Sequence, residues 1–227
     1  MQRRWSALAL ALALAGLVAC GGAGDPVAET ADSSVDHPSL ESTGKPRLVF
    51  LGDSLTAGFG LGEEQAFPAL VGASLEDEGR QVRVVNAGVS GDTSAGGLAR
   101  LDWLLRQSPD VVFVCLGAND GLRGLSPEMT ERNLREIVTR TRAAGAHAIL
   151  AGMRLPPNYG PDYVSEFEAV FPRLARELDV PLVPFLLEGV AGRRSLNLAD
   201  GIHPNAEGQE RIAEHVLPVV LEVVDGL

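Results

Sequence analysis

The chain has 227 residues, of which 45% are hydrophobic and 22% are charged, a composition typical of one globular domain with appendages. Its formal net charge of −11 argues against nucleic acid as a partner, because binding a phosphate backbone requires clustered lysine and arginine. Its two cysteines, Cys20 and Cys115, cannot form a disulfide framework, and its four scattered histidines argue against a metal site built from protein side chains.

The first twenty residues have the layout of a secretory signal. Arg3 and Arg4 precede an apolar run over residues 7–18, which is too short to cross a bilayer because a spanning helix needs about 20 residues. The run ends in Leu17-Val18-Ala19-Cys20, which resembles the lipobox of bacterial lipoproteins. That resemblance implies a signal peptide over residues 1–19 and lipidation of Cys20. An ordinary signal peptide with an incidental cysteine is the alternative.

The resemblance also carries expectations about location and domain organisation. Gly21 rather than aspartate follows the cysteine, which implies a lipid-anchored, extracytoplasmic protein on the periplasmic side of an outer membrane. Residues 20–45 are rich in small and acidic side chains without apolar periodicity, so we expect a flexible acidic tether. Residues 46–227 then form the folded domain, which we expect to be a monomer.

Strand and helix patterns alternate from residue 46 onward. Strands are predicted at residues 47–52, 81–86, 110–116, 147–153 and 181–185. Helices are predicted at residues 63–78, 93–106, 126–145, 162–178 and 205–224, with Pro172 as a kink and Pro218 as a disturbance. Such alternation predicts an α/β fold: a flavodoxin-like three-layer α/β/α sandwich with about five parallel strands.

Three successive strands end in polar, glycine-containing turns. These turns are Gly52-Asp53-Ser54, the segment from Asn86 to Asp92, and Gly117-Ala118-Asn119-Asp120. The carboxyl ends of parallel strands share one edge, so we expect the turns to converge on one crevice. Near the end of the chain, Asp200 and His203 stand three residues apart across a glycine, where the carboxylate can hold Nδ1–H of the imidazole and leave Nε2 free as a base.

Together these four segments resemble the sequence blocks of the SGNH (GDSL) hydrolase superfamily. The resemblance is closest to its bacterial branch of thioesterases, arylesterases and lysophospholipases. The matching segments include residues 90–94, 97–101, 119–124 and 154–160. A departure is Ala118, where that branch often has a second glycine. We expect little consequence from it.

The resemblance implies a role for each matching residue. Ser54 is expected to attack an acyl carbon, His203 to take and return the proton, and Asp200 to orient His203. The oxyanion hole is expected to consist of the backbone N–H groups of Ser54 and Gly91 and the side-chain amide of Asn119. No cofactor and no metal is expected. Asp53 and Asp120 are expected to brace the backbone rather than react, and His147 and His215 to be structural.

The substrates that the resemblance implies are small esters, acyl thioesters and lysophospholipids. We expect residues 121–126 to form a mobile lip over an acyl-chain groove, because Gly121 and Gly124 flank Leu122 and Arg123. Leu155, Pro156 and Tyr159 would line another side of this groove. Two other functions remain open: O-deacetylation of envelope carbohydrate by the same superfamily, and a non-catalytic envelope-binding module.

Overall fold

The structure is a computed structural model that describes residues 44–227. The predicted signal peptide, the lipidation site Cys20 and the predicted tether up to residue 43 lie outside the described residues. Among the helices of the described part, none is both long enough and apolar enough to cross a membrane.

Five strands form a single parallel sheet in the order β2–β1–β3–β4–β5. The strands are β1 (Arg47–Gly52), β2 (Arg83–Gly88), β3 (Val111–Cys115), β4 (His147–Ala151) and β5 (Leu182–Val183). This order is that of flavodoxin-like folds, which confirms the fold predicted from the sequence.

Within residues 44–227, seven α-helices accompany the sheet. They are α1 (Ser54–Ala57), α2 (Phe67–Asp77), α3 (Ser94–Leu105), α4 (Ala118–Leu122), α5 (Pro127–Ala143), α6 (Pro161–Leu178) and α7 (Ala206–Val224). Helix α2 packs against α7, whereas α5 packs against both α3 and α6. Right-handed crossovers between parallel strands place these two groups of helices on opposite faces of the sheet. The result is three layers.

The core lies where the central strands meet the helices. Strands β1 and β3 are buried along almost their whole length, as expected for a parallel sheet that is covered on both faces. The Phe50 ring of β1 contacts Phe113 of β3 at 5.1 Å and Phe67 of α2 at 5.4 Å between ring centroids. Cys115 is a free, buried side chain at the end of β3, so it packs as a small apolar residue.

Several element boundaries differ from those predicted, and proline explains two of the differences. The helix predicted from residue 63 is a 3₁₀ turn over Glu63–Gln65, and α2 begins only at Phe67. Pro68 occupies the first turn of α2, where its missing N–H costs nothing. The last strand spans two residues rather than five, because Pro184 has no N–H to donate to a neighbouring strand.

Candidate active site

Ser54 is the first residue of α1 and directly follows the turn that ends β1. Asp53 is the N-cap of this helix, and its Oδ1 accepts a hydrogen bond from the backbone N–H of Leu55 at 3.0 Å. Glycine is required at position 52, because a Cβ there would lie 2.0 Å from Thr56 Oγ1 and 2.9 Å from the carbonyl oxygen of Cys115. The close approach of strand, helix and neighbouring strand therefore fixes the position of Ser54.

The structure brings Ser54, His203 and Asp200 into one hydrogen-bonded row. Nε2 of His203 lies 3.0 Å from Ser54 Oγ, although 149 positions separate the two residues in the chain. Nδ1 of His203 lies 2.8 Å from Asp200 Oδ2. This arrangement provides a hydroxyl, a base that contacts it and a carboxylate that orients the base, which is what nucleophilic acyl transfer requires.

Backbone hydrogen bonds hold the segment that carries Asp200 and His203. Asp200 Oδ1 accepts from the N–H groups of Ile202 at 2.9 Å and His203 at 3.0 Å. These bonds, led by the one from the His203 backbone, lower the pKa of Asp200 to about 2. Asp200 is therefore ionised at neutral pH, so it accepts a hydrogen bond from Nδ1–H of His203 and leaves Nε2 to face Ser54.

Buried Asn197 anchors this segment to the rest of the domain. Its side-chain amide donates to the carbonyl oxygens of Val190 at 2.9 Å and Arg193 at 2.8 Å. Asn197 also forms an antiparallel bridge with Pro204, and the N–H of Leu198 donates to the carbonyl oxygen of His203 at 2.7 Å. Sequence reasoning did not single out Asn197, because its partners lie in irregular chain that has no recognisable pattern.

The two residues predicted to complete an oxyanion hole lie at the ends of the strands that flank β1. Gly91 follows β2 with φ +81°, a left-handed conformation that favours glycine. Asn119 follows β3 as the second residue of α4, and its Nδ2 donates to Asp53 Oδ2 at 3.1 Å. Within residues 44–227, the backbone N–H groups of Ser54 and Gly91 have no protein acceptor, which leaves both available to a ligand.

Arginine side chains brace the two turns that contain Gly52 and Gly91. Arg100 of α3 donates from Nη2 to the carbonyl oxygen of Gly52 at 2.9 Å and from Nε to Asp92 Oδ2 at 2.8 Å. Arg123 donates from Nη2 to the carbonyl oxygen of Gly91 at 2.7 Å. Arg123, predicted to contact substrate, thus also links the turn after α4 to the turn after β2.

Asp53 and Asp120 are both buried and accept hydrogen bonds, as expected for residues that brace the structure. Asp120 accepts from the N–H of Ser94 at 2.8 Å and from the Ser94 hydroxyl at 2.5 Å, which joins α4 to the start of α3. Burial raises the pKa of Asp53 to about 6, against the opposing effect of its hydrogen bonds from Leu55 and Asn119.

The segment predicted to be a mobile lip is tied down by hydrogen bonds. The hydroxyl of Tyr159 donates to the carbonyl oxygen of Leu122 at 3.0 Å, and that of Tyr163 donates to the carbonyl oxygen of Leu125 at 2.8 Å. Gly121 and Leu122 belong to α4 rather than to a loop, and Gly121 is buried. The conformation at Gly121 is set by the packing of α4 against the core.

The remaining predicted groove residues differ in exposure. Leu155 belongs to the hydrophobic core and is only 8% exposed, so it does not line an open groove. Pro156 is exposed, and Leu122 is 37% exposed beside Asn119 and Arg123. Tyr159 is half-buried in a 3₁₀ turn.

Two apolar residues beside His203 were not predicted from the sequence. The Phe59 ring packs on the His203 imidazole with 4.4 Å between ring centroids, yet Phe59 remains 46% exposed. Ile202, which precedes His203, is 54% exposed. Phe59 follows Ser54 and Ile202 follows Asp200 by only a few positions, and this proximity is the one indication of them in the sequence.

The other two described histidines lie apart from this row. His147 is exposed at the start of β4, and Nε2 of His215 lies 3.0 Å from the carbonyl oxygen of Phe185. In the part of the chain that the structure covers, no three histidine, cysteine or acidic side chains are grouped as ligands for a metal ion.

Comparison with known proteins is consistent with this geometry. Residues 50–211 match the model of the GDSL-like lipase/acylhydrolase family. The chain is 48% identical over 174 residues to the esterase TesA of Pseudomonas aeruginosa, a match that covers 76% of this chain and 87% of that protein. It is 48% identical over 168 residues to the thioesterase 1/protease 1/lysophospholipase L1 of Escherichia coli K12, covering 74% and 79% of the two chains.

A solved structure is similar as well. The crystal structure of TesA superposes with a TM-score of 0.76 at 47% identity, and the match covers 78% of this chain and 99% of that one. The likeness therefore extends over nearly the whole of the compared protein.

Replacing Gly121 by alanine should destabilise the domain. The new Cβ would lie 2.6 Å from Leu155 Cδ2 and 2.9 Å from Phe167 Cζ, and overpacking of this kind typically costs about 1–3 kcal/mol. Urea denaturation measures the loss. Gly79→Ala is the control, because a Cβ at Gly79 meets no atom within 4 Å and its cost comes only from φ +78°. A Gly121→Ala variant as stable as the wild type would show that α4 is loosely packed, as a mobile lip requires.

Proposed function

Because this chain belongs to the GDSL-like lipase/acylhydrolase family, it is a serine ester hydrolase, and we propose that Ser54, His203 and Asp200 perform the hydrolysis through an acyl-enzyme. The observation that carries this proposal is the pair of contacts made by His203. Its Nε2 lies 3.0 Å from Ser54 Oγ while its Nδ1 lies 2.8 Å from Asp200 Oδ2.

The first half of the reaction forms the acyl-enzyme. His203 removes the hydroxyl proton of Ser54 as Oγ attacks the acyl carbon, and a tetrahedral intermediate forms. Asp200 is ionised, so it stabilises the imidazolium of His203 through Nδ1–H. His203 then donates its proton to the leaving alcohol or thiol, and the bond between the acyl carbon and the leaving group breaks.

The second half releases the acid. His203 removes a proton from a water molecule, which attacks the acyl carbon of the ester on Ser54. The second tetrahedral intermediate collapses, and the proton on His203 returns to Ser54 Oγ. The enzyme regains its starting state with one water consumed.

Three hydrogen-bond donors are proposed to stabilise the oxyanion of both intermediates. They are the backbone N–H groups of Ser54 and Gly91 and the Nδ2 amide of Asn119. The absence of a protein acceptor for the two backbone groups in residues 44–227 supports this assignment. Fixed donors of this kind act without reorganisation at the moment of reaction, which makes each of them valuable.

We propose that the substrates are small aryl or alkyl esters, acyl thioesters and lysophospholipids. The names of the relatives, an esterase and a thioesterase 1/protease 1/lysophospholipase L1, support this range. The exposed apolar side chains of Phe59, Ile202 and Leu122 near the site also favour substrates with an apolar portion.

We also propose that the protein is a monomer that is lipid-anchored outside the cytoplasm through Cys20, on the periplasmic side of an outer membrane. The support for the anchor comes from the sequence alone, namely the short apolar run that ends in Leu17-Val18-Ala19-Cys20. A lipoprotein carries several acyl chains, which anchor a protein far more stably than one.

The ester-hydrolase activity is tested with p-nitrophenyl esters of increasing chain length. We expect the wild type to hydrolyse esters with short and medium acyl chains and Ser54→Ala to lose that activity. Hydrolysis of acetyl esters alone would instead indicate O-deacetylation of envelope carbohydrate. Full activity in Ser54→Ala would contradict the proposed nucleophile, and absence of activity on every ester would favour a binding module.

Replacing Asn119 by alanine should lower kcat by about 10²–10³ while the domain stays folded. The amide would no longer donate to the oxyanion, which exists only along the reaction path, so KM should change little. Steady-state kinetics measures both parameters. Asn158→Ala is the control, because Asn158 is exposed in the turn after Pro156 and makes no side-chain hydrogen bond within residues 44–227. Wild-type kcat in Asn119→Ala would remove Asn119 from the mechanism.

The lipid anchor is tested by replacing Cys20 with alanine. The wild type should sediment with membranes after washing in high salt, whereas Cys20→Ala should appear in the soluble fraction. Ser54→Ala serves as the control, since it should sediment like the wild type. If Cys20→Ala still sediments with membranes, the anchor is not the lipidated cysteine.

A further inference from the structure

Asp53 is a buried carboxylate that has no positively charged partner among the described residues. It is 1% exposed, and no arginine, lysine or histidine within residues 44–227 forms an ion pair with it. Its two oxygens accept from the backbone N–H of Leu55 at 3.0 Å and from Nδ2 of Asn119 at 3.1 Å. Burying a carboxylate with only these partners is unfavourable, so the charge itself requires an explanation.

Capping α1 does not explain the charge. Asparagine and serine cap helices about as well as aspartate, and neither brings an ionised group into the interior. Helix α1 has only four residues, so its dipole offers little stabilisation to the carboxylate. The contact that distinguishes a carboxylate from an amide at position 53 is the one with Asn119.

We propose that Asp53 is a positioning residue that fixes which end of the Asn119 amide faces the reacting atoms, an inference that rests on the function proposed above. An ionised carboxylate only accepts hydrogen bonds, so Asn119 must present Nδ2 rather than Oδ1 to Asp53. Nδ2 carries two hydrogens. One is taken by Asp53 Oδ2, and the second is left to donate to the oxyanion.

The same contact makes the amide depend on the protonation state of Asp53. A protonated carboxyl group can donate, so it can accommodate Oδ1 of a rotated Asn119 and no longer enforces the donor orientation. Burial raises the pKa of Asp53 to about 6. Of the charged groups that face Asp53, Asp92 raises this pKa further and His203 lowers it. Two other groups lie nearby: Arg100 is paired with Asp92, and Cys115 is buried at the end of β3.

The test is the variant Asp53→Asn. Its Oδ1 can still accept from Leu55, but its Nδ2 would then face Asn119 and require Oδ1 of that amide in return. The oxyanion would meet an acceptor in place of a donor. We expect kcat to fall by about 10²–10³, as in Asn119→Ala, with KM changed little. Combining Asp53→Asn with Asn119→Ala should cause no further loss, because the two residues act as a unit.

A matched control is Asp110→Asn. Asp110 also accepts from a backbone N–H, that of Arg47 at 2.6 Å, but it lies at the opposite edge of the sheet. Its replacement should leave kcat unchanged. If Asp53→Asn keeps the wild-type kcat while Asn119→Ala and Ser54→Ala lose theirs, the role of Asp53 is overturned and the proposed function stands. If Ser54→Ala keeps its activity, the proposed function itself fails.

Two further measurements separate positioning from a purely structural role. Because the folded state holds the Asp53 proton more tightly than the unfolded chain does, its stability falls as pH rises from about 4 to about 6. Asp53→Asn removes that ionisation and should therefore be at least as stable as the wild type at pH 8. A structural role predicts a loss of stability together with the loss of activity.

The pH dependence of kcat provides a test that does not require the Asp53 variant to fold. Proton uptake by His203 inactivates the wild type and Asn119→Ala alike, since both need the base. Proton uptake by Asp53 near pH 6 should lower kcat only in the wild type, because Asp53 acts through Asn119. The acid side of the profile should thus be less steep in Asn119→Ala. Profiles of the same shape would overturn the proposal.

Discussion

The site depends on one constraint of topology: β1 pairs with β2 on one side and with β3 on the other. The chain runs from β1 to β2 and then crosses back to β3, so the direction of the connections reverses beside β1. Turns that leave the carboxyl ends of neighbouring strands on either side of such a reversal open a crevice between them. Ser54, Gly91 and Asn119 follow β1, β2 and β3 respectively, and the sheet therefore brings together residues that are 28 to 65 positions apart.

Hydrogen bonds of buried and half-buried polar side chains hold these turns in place. Asn197 holds the segment that carries His203, Asp120 joins α4 to α3, and Arg100 links α3 to the end of β1. Asn86 does the same for β2, because its amide donates to the carbonyl oxygen of Thr56 at 2.9 Å and accepts from the N–H of Gly88 at 3.0 Å. Each of these side chains satisfies backbone groups that irregular turns would otherwise leave unpaired in the interior.

The sequence predicts the parts of this arrangement that follow from local pattern. Apolar runs mark the strands, the turns that end three of those runs contain Ser54, Gly91 and Asn119, and the spacing of Asp200 and His203 across a glycine marks the base. Features that depend on contacts distant in the chain were missed or misread. The sequence predicts a loop from residue 121, yet Gly121 lies in a helix, where the absence of a side chain makes room for Leu155 and Phe167 from other elements. The packing of Phe59 on His203 and the bond from Asn119 to Asp53 likewise exist only once β1, β3 and the last loop are assembled.

Asp200 and Asp53 both lie near His203, and their different surroundings give these two carboxyl groups different pKa values. Asp200 is partly exposed and receives three hydrogen bonds, which lower its pKa to about 2 and keep it ionised beside the imidazole. Asp53 is buried with two donors, and burial raises its pKa to about 6. Solvent and the His203 backbone support the charge of Asp200, so it can orient the base over a wide range of pH. Asp53 is shielded from solvent and has only two hydrogen bonds to support its charge, an unfavourable arrangement that the proposed positioning of Asn119 explains.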